Sequence, residues 1–306
     1  MSADSLLQAI ANKNPRALGR GISLVENHDP MATELLSGLD QTAIEQALIV
    51  GVTGPPGAGK STLTSRLVQA SRALGKRVGV LAIDPSSPLT GGAVLGDRVR
   101  MMRHGMDSDV VIRSMATRGR LGGVSGSAGA CVRLMAHSGC DIVFLETVGV
   151  GQSEIDIVRM ADLTLMVLAP GLGDDIQAMK AGLLEVADIL VVNKSDKPGA
   201  EGLYLDMEIV AQSREHTQHR QTIVCKTIAK DNEGVDRLMD HIQALALVAD
   251  ESGEKAQRRL KGRKLEVLDW ALELVKPKFS KEIDHCDLNG DPLQIARSIL
   301  QQYKKS

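Results

Sequence analysis

The stretch LIVGVTGPPGAGKS, at residues 48–61, decides which fold the sequence predicts. Its second half, from Gly54 to Ser61, matches GxxxxGKS/T, the pattern of a phosphate-binding P-loop. The apolar run Leu48–Val52 predicts a buried strand before this loop, and the stretch Ser61–Leu74 predicts a helix after it. A strand, a glycine-rich loop and a helix in this order are the context that the motif requires. The stretch therefore predicts an NTPase that binds phosphate.

Each residue type in this loop has a chemical reason to be there. Glycines allow successive backbone N–H groups to turn towards phosphate oxygens, and the start of the next helix adds a positive dipole. Lys60 is expected to be a catalytic residue that stabilises charge on the β- and γ-phosphates, and the Ser61 hydroxyl is expected to ligate Mg²⁺. The predicted nucleotide-binding residues of the loop are Gly54, Pro55, Pro56, Gly57, Ala58, Gly59, Lys60, Ser61 and Thr62.

Short apolar runs alternate with helical patterns along the middle of the chain. The predicted strands are Leu48–Val52, Val78–Ile83, Val110–Ile112, Ile142–Leu145, Leu163–Leu168, Ile189–Val192 and Thr222–Cys225. The predicted helices include Ser61–Leu74, Ala128–His137, Asp175–Val186 and Val235–Leu247. Buried strands flanked by helices indicate an α/β fold, with a mostly parallel P-loop NTPase sheet and helices on both faces.

Both ends of the chain show helical patterns without strand-like runs. Residues 1–47 are predicted to form an N-terminal helical segment with breaks at Pro15 and Pro30, and residues 48–250 are predicted to form the P-loop domain. Residues 251–306 are predicted to form a C-terminal helical arm.

The C-terminal arm carries two patterns that lead to different expectations. Its predicted helices are Glu251–Lys276 and Pro292–Tyr303. The apolar stripe from Leu265 to Val275 is typical of core packing and fits a homodimer interface equally well. The basic run at residues 258–264 is expected to be a solvent-exposed helix face, because acidic residues interleave with it.

Composition excludes several classes of function. The net charge of -2 argues against a dedicated nucleic-acid binder, and an aromatic content of 2% disfavours a surface on which bases stack. The chain lacks a secretion signal and any run of ~20 apolar residues, so no membrane partner is expected. Its four cysteines form no CxxC pair. A cytoplasmic or equivalent reduced compartment is therefore expected.

A second motif indicates which base the nucleotide carries. NKSD, at residues 193–196, follows the apolar run Ile189–Val192 and matches the NKxD element of GTPases. The carboxylate of Asp196 can accept hydrogen bonds from the ring N–H and the exocyclic NH₂ of guanine, and adenine does not present this pair of donors. GTP and GDP are therefore the predicted ligands, with Asn193, Lys194 and Asp196 among the nucleotide-binding residues.

The run FLETVG, at residues 144–149, is a strand end that supplies an acid. In P-loop NTPases an acid at this place supports Mg²⁺, and the glycine that follows can contact the γ-phosphate. Glu146 stands where most GTPases have Asp, and its longer side chain suits contact through a water molecule; it is predicted to be catalytic as well as metal-binding. The predicted Mg²⁺ shell is Ser61, Asp84, Asp97 and Glu146, and Gly149 is predicted to bind the nucleotide.

The residue after Gly149 predicts slow hydrolysis of GTP. Ras-type GTPases have a water-orienting Gln near this position. Here Val150 follows Gly149, and Gln152 and Arg98 are weaker candidates for that role. The isolated protein is expected to turn over GTP more slowly than roughly 1 s⁻¹ until a partner, a dimer mate or a rearranged loop completes the site.

Several longer motifs accompany the P-loop and NKSD. They are DPSSPLTGGAVLGDRVRM at residues 84–101, TRGRLGG at 117–123, ETVGVGQSE at 146–154 and GDDIQAMKAG at 173–182. Together they resemble the methylmalonyl-CoA mutase-associated GTPases, the chaperones of adenosylcobalamin-dependent mutases. Some members carry the older name of transport-system ATPases or kinases for arginine and ornithine. The resemblance covers nearly the whole chain.

This resemblance implies a homodimeric, Mg²⁺-dependent GTPase that binds a B12-dependent acyl-CoA mutase. It further implies that the protein gates transfer of the cofactor from a cobalamin adenosyltransferase and protects or reactivates the mutase. In the family, the stretch that corresponds to residues 173–182 is a mobile element that signals to the mutase, and Asp174 and Lys180 match its polar residues. From the residues alone, these two side chains fit a helix start and a solvated helix face.

One element departs from the usual GTPase pattern. After the last strand, many GTPases have a Ser-Ala pair whose backbone N–H contacts guanine O6. This chain has Thr227-Ile228-Ala229 at that place. Ile228 and Ala229 are predicted to provide this contact, because a backbone donor does not depend on the side chain.

Two other functions remain as alternatives. One is a P-loop kinase of a transport system, which the NKSD element disfavours because an ATP-dependent kinase needs no guanine-selecting carboxylate. The other is a GTPase that serves a different metalloenzyme. The residues do not separate this second alternative from the mutase chaperone.

Overall fold

The computed structural model describes residues 2–84, 107–116, 124–147, 153–172, 184–218, 221–286 and 288–303. Its helices are α1 (Ala3–Ala11), α2 (Pro15–Glu26), α3 (Pro30–Ser37), α4 (Gln41–Gln46), α5 (Lys60–Ala73), α6 (Val124–His137), α7 (Ser153–Met160), α8 (Ala200–Gln218), α9 (Val235–Glu251), α10 (Glu254–Asp284) and α11 (Pro292–Tyr303). Its strands are β1 (Leu48–Thr53), β2 (Val78–Asp84), β3 (Val110–Ala116), β4 (Ile142–Thr147), β5 (Leu163–Leu168), β6 (Ile189–Asn193) and β7 (Ile223–Thr227).

The strands of the described residues run parallel in one seven-stranded sheet, in the order β3-β2-β4-β1-β5-β6-β7. Their carboxyl ends therefore lie along one edge, where β1 leads into the P-loop. The register places Glu146 of β4 beside Val52 of β1 and Ala82 of β2, and it pairs Asn193 of β6 with Thr227 of β7. The predicted α/β class with a parallel sheet is confirmed.

Side chains alternate between the two faces of the sheet, because successive residues of a strand point to opposite sides. In β4, Val143 and Leu145 join the core that α1 to α4 and α6 form, whereas Phe144 joins the core that α5 and α9 form. A third cluster lies between β5, β6 and α8. Helices cover both faces of the sheet, as strands that are apolar on both sides require.

The N-terminal helices begin where the sequence predicts breaks. Pro15 and Pro30 occupy the first positions of α2 and α3, where a missing N–H costs nothing and the fixed φ suits a helix. The side chains of Asn14 and Asp29 cap these helices by accepting hydrogen bonds from backbone N–H groups.

Some elements differ from the predicted ones. Most strands extend beyond the carboxyl ends of their predicted apolar runs; β3, for example, continues beyond Ile112 through Arg113 and Ser114. The helix α8 was not predicted, because its sequence has only a weak amphipathic pattern. The predicted helix Asp175–Val186 lies outside the described residues except for residues 184–186, which form a turn.

The start of α10 is anchored by two arginines, which corrects part of the expectation that this basic run is a solvent-exposed face; Lys261, Arg263 and Lys264 are exposed as expected. Arg258 forms a two-pronged ion pair with Asp188, with nitrogen–oxygen distances of 2.7 and 2.9 Å. Arg259 forms another with Asp162, at 2.6 Å for both contacts. Two arginines thus hold the C-terminal arm against the amino edge of the sheet.

The two aspartates are themselves fixed by the sheet. Asp162 directly precedes β5 and accepts a hydrogen bond from the Ile49 N–H at 2.9 Å. Asp188 directly precedes β6 and accepts one from the Thr164 N–H at 2.8 Å. Arg259 also donates to the carbonyl of Ala47, the residue directly after α4, at 2.6 Å. One network therefore joins the N-terminal helices, the sheet and the arm.

We expect Arg259→Ala to lower the free energy of unfolding by on the order of 3 kcal/mol, because it leaves a buried carboxylate without its cation. The side chain of Asp162 is only 1% exposed. Lys264→Ala, on the exposed side of α10, is the matched control and should change stability by less than about 0.5 kcal/mol. Urea unfolding followed by circular dichroism measures both. Equal stability of the two variants would contradict an anchoring role for this ion pair.

Candidate nucleotide-binding site

The loop between β1 and α5 has the backbone of a phosphate cradle. Gly54, Gly57 and Gly59 have φ values of 137°, 81° and 94°, which residues with a Cβ rarely adopt. A Cβ on Gly54 would lie 2.1 Å from the carbonyl oxygen of Val167, and one on Gly59 would lie 2.4 Å from the Asn193 side chain. The loop therefore requires glycine for both its conformation and its close packing.

Lys60 is the first residue of α5 and its side chain turns back into the loop. It is buried, and Nζ donates hydrogen bonds to the carbonyl oxygens of Gly54 at 2.6 Å and Pro55 at 3.2 Å. These carbonyls hold the ammonium group within the loop. This is the location at which a cation can contact the terminal phosphates of a nucleotide.

Ser61 and Glu146 lie together, as the predicted metal shell requires. The Ser61 hydroxyl donates to Glu146 Oε1 at 2.5 Å. Glu146 is almost completely buried at the end of β4, and Ser61 lies in the first turn of α5. A hydroxyl and a carboxylate beside a phosphate loop form a donor set that suits Mg²⁺, which prefers oxygen ligands.

The other predicted metal and switch residues lie at or beyond the limits of the described part. The backbone of Asp84 ends β2, and the residue before it pairs with Thr147 of β4. The side chain of Asp84 lies outside the described residues, as do the whole of Asp97, Gly149, Asp174 and Lys180. Their predicted roles remain predictions.

Asn193 joins the two loops that form the site. Its buried side chain donates from Nδ2 to the carbonyl of Ala58 in the P-loop at 2.8 Å. Its Oδ1 accepts from the Thr227 hydroxyl and from the Ala229 N–H, each at 3.1 Å. The first residue of NKSD thus fixes the distance between the phosphate loop and the loop after β7.

The loop after β7 contains the residues predicted to contact guanine O6. The Ile228 N–H donates to the Glu233 carbonyl at 3.0 Å, and the Ala229 N–H donates to Asn193. Arg66 of α5 holds the same loop from the other side, because it donates to the carbonyls of Ala229 at 3.0 Å and Lys230 at 2.7 Å. Sequence reasoning missed Arg66, since a helix arginine carries no motif.

The remaining NKSD residues lie beside the loop. Lys194 has a φ of 56°, and its side chain extends towards Gly59. The side chain of Asp196 is 40% exposed, with one carboxylate oxygen 3.5 Å from Lys197 Nζ. Its carboxylate is open to solvent, as a group that binds an incoming base must be.

Glu154, in the first turn of α7, is a site residue that sequence reasoning did not assign. It is only 3% exposed, although it is a carboxylic acid. Burial raises the pKa of Glu154 to about 7, and the positive charge of Lys60 limits that rise. The sequence offered one signal, because Glu154 is the last residue of the ETVGVGQSE motif that begins at Glu146.

The described residues hold no further cluster of metal-binding side chains. Among them, no group of three or more His, Cys, Asp or Glu residues could hold a metal ion. No helix within the described part is long and apolar enough to cross a membrane.

Several known proteins are similar to this chain in sequence or in fold. A Pyrococcus abyssi protein is 45% identical over 303 residues, which cover 98% of this chain and 92% of that protein. A Mus musculus protein named methylmalonic aciduria type A homolog, mitochondrial, is 32% identical over 290 residues, which cover 89% of this chain and 69% of that protein. A crystal structure described as an LAO/AO transport system kinase has a TM-score of 0.68 at 26% identity, covering 99% of this chain and 92% of that one.

A family match covers most of the chain. Residues 18–284 match the family described as Methylmalonyl Co-A mutase-associated GTPase MeaB. The resemblance of the sequence motifs to this family is thereby confirmed. The prediction that the chain is a GTPase is confirmed as well. The chain belongs to the MeaB family of methylmalonyl-CoA mutase-associated GTPases.

Proposed function

We propose that this chain is a GTP-hydrolysing chaperone that binds an adenosylcobalamin-dependent acyl-CoA mutase and gates the loading and protection of its cofactor. The observation that carries the proposal is one sheet edge that holds a P-loop lysine, a serine–carboxylate pair and an NKSD element. Methylmalonyl-CoA mutase is the first candidate partner, because the family description names it. The name of the mouse relative refers to methylmalonic acid, which supports the same choice.

In this proposal each part of the site has its own task. Lys60 exchanges the carbonyl oxygens of Gly54 and Pro55 for phosphate oxygens when a nucleotide enters the loop. The carboxylate of Asp196 selects guanine through its two donors. Bound Mg²⁺ would neutralise phosphate charge; Ser61, Asp97 and Glu146 would hold it, with Asp84 in support.

The regulation of hydrolysis also belongs to the proposal. The isolated chain is expected to hydrolyse GTP slowly and to need a partner, because Val150, and not Gln, directly follows Gly149. Asp174 and Lys180 would signal the nucleotide state to the mutase, and a cobalamin adenosyltransferase would supply the cofactor. These roles follow the family resemblance.

The C-terminal arm, residues 251–306, is the proposed dimerisation element. Leu268 and Leu272 stand one turn apart on α10 and are 54% and 60% exposed. Val275, three residues further along on the same helix face, is 39% exposed. A second copy of the chain would cover this apolar surface, since contiguous exposed apolar side chains mark an interaction site.

A cytoplasmic or equivalent reduced location completes the proposal. The cysteines of the described residues are free thiols, and three of them are buried. Burial raises the pKa of Cys225 to about 12, so this thiol stays protonated and unreactive.

GTP turnover is the first test of the proposed function. The pure protein should hydrolyse GTP below roughly 1 s⁻¹, not hydrolyse ATP, and accelerate when an adenosylcobalamin-dependent acyl-CoA mutase is added. Lys60→Ala should lower the rate by about 100-fold or more, because the cation that faces the phosphates is lost. Lys76→Ala, an exposed lysine just beyond α5, is the matched control and should keep the wild-type rate.

The outcomes separate the alternatives. GTP turnover that does not respond to the mutase would contradict the mutase role and leave a GTPase with another client. ATP turnover equal to GTP turnover would contradict guanine selection and favour a kinase.

Analytical ultracentrifugation tests whether the C-terminal arm forms a dimer interface. The wild-type protein should sediment as a dimer, and Leu272→Glu should sediment as a monomer, because a buried charge without a partner opposes association. Ile209→Glu, which changes an equally exposed apolar residue on α8, is the control and should remain dimeric. A wild-type monomer at micromolar concentration, or a dimeric Leu272→Glu variant, would contradict the proposed interface.

A further inference from the structure

Glu154 lies beside the P-loop and has no task in the proposed function. The helix α7 starts at the carboxyl edge of the sheet and packs closely on β1, since a Cβ on Gly51 would lie 2.6 Å from Ile157 Cγ2. Glu154 precedes Ile157 by about one helical turn. It therefore lies nearer to the edge at which β1 passes into Gly54 and the phosphate loop. Only 3% of the surface of this residue is exposed.

One oxygen of the Glu154 carboxyl group has no donor. Within the described residues, its Oε1 has no hydrogen-bond partner. A buried carboxyl group in such surroundings stays ionised only if a nearby cation offsets the loss of solvation, and it otherwise takes up a proton. Lys60 is that cation, because its positive charge is the one that favours the ionised form of Glu154.

Other charged groups around α7 engage one another. The strand β1 contains no ionisable residue. Among the described residues, Glu146 accepts from the Ser61 hydroxyl, Arg133 of α6 pairs with Glu266 of α10, and Arg159 pairs with Asp156, whose charge Asp269 of α10 opposes. Burial favours the neutral form of Glu154, and Lys60 is the cation that favours its ionised form.

We infer that Glu154 is the internal counter-charge of Lys60 and that it takes up one proton from solvent when a nucleotide phosphate enters the P-loop. The inference rests on the proposed function in one respect, namely that Lys60 binds phosphate. An arriving phosphate brings negative charge near Glu154. It also binds the Lys60 ammonium group, whose positive charge favours the ionised form of Glu154. Both changes favour the neutral carboxylic acid, so the carboxylate binds a proton as the nucleotide binds.

The direction of the pH dependence follows from this linkage. The pKa of Glu154 is raised to about 7 without nucleotide. The inference requires a higher pKa with phosphate bound, so between the two pKa values the free protein is mostly ionised at this residue and the complex mostly protonated. Nucleotide affinity is therefore highest below pH 7 and falls as the pH rises through the two pKa values.

Calorimetric titration with GDP and Mg²⁺ at pH 7.5, in buffers of different ionisation enthalpy, measures the proton uptake directly. The wild-type protein should take up about 0.5 to 0.8 proton more than Glu154→Gln, for a pKa that starts near 7 and rises well above 7.5. Glu215→Gln, an exposed glutamate on α8, is the matched control and should behave as the wild type. Ionisation of GDP itself is common to all three proteins and cancels in the difference.

A second measurement needs no variant and so does not depend on the folding of Glu154→Gln. The affinity of the wild-type protein for GDP should fall about fivefold to tenfold between pH 7.0 and 8.5. A flat wild-type profile, or equal proton uptake by the wild type and a folded Glu154→Gln, would overturn the inference and leave the GTPase function intact. If the wild-type protein failed to bind GDP, the proposed function itself would be wrong.

Discussion

The side chain of Asn193 bonds to both loops on which nucleotide recognition depends. Its amide holds the P-loop through the Ala58 carbonyl and holds the loop after β7 through Thr227 and Ala229. The parallel sheet makes this possible, because it brings the ends of β1, β6 and β7 to a single edge. Phosphate binding and base selection thus share one buried amide, and neither loop can shift without breaking its hydrogen bonds.

The buried carboxylates at the two edges of the sheet differ in how they are paired. At the amino edge, Asp162 and Asp188 have arginine partners and backbone donors, so their charges are satisfied within the chain. At the carboxyl edge, Glu154 lies buried within the electrostatic influence of Lys60, and its Oε1 has no donor among the described residues. The charged groups of the amino edge therefore stabilise the fold and fix the arm. Those of the carboxyl edge, in contrast, can respond to the charge of a bound phosphate.

The sequence predicts those features that depend on local pattern. Apolar runs locate the strands, and glycine spacing with Lys60 and Ser61 locates the phosphate loop before any tertiary contact is known. It does not predict that Arg258 and Arg259 are tied to the sheet, because their partners lie far away in the chain and share no motif with them. The burial of Glu154 is missed for the same reason, since helix position alone does not say which charged residue faces the core.

The affinities of GDP, ADP and xanthosine diphosphate for the wild-type protein and for Asp196→Asn test guanine selection most directly. The wild type should prefer GDP to ADP by at least about 100-fold, because guanine pairs its two donors with the carboxylate. Asp196→Asn should lose this preference and gain affinity for xanthosine diphosphate, since the asparagine amide can donate to the carbonyl that replaces the guanine amino group. Equal binding of ADP and GDP by the wild type, or an unchanged GDP preference in Asp196→Asn, would contradict the account.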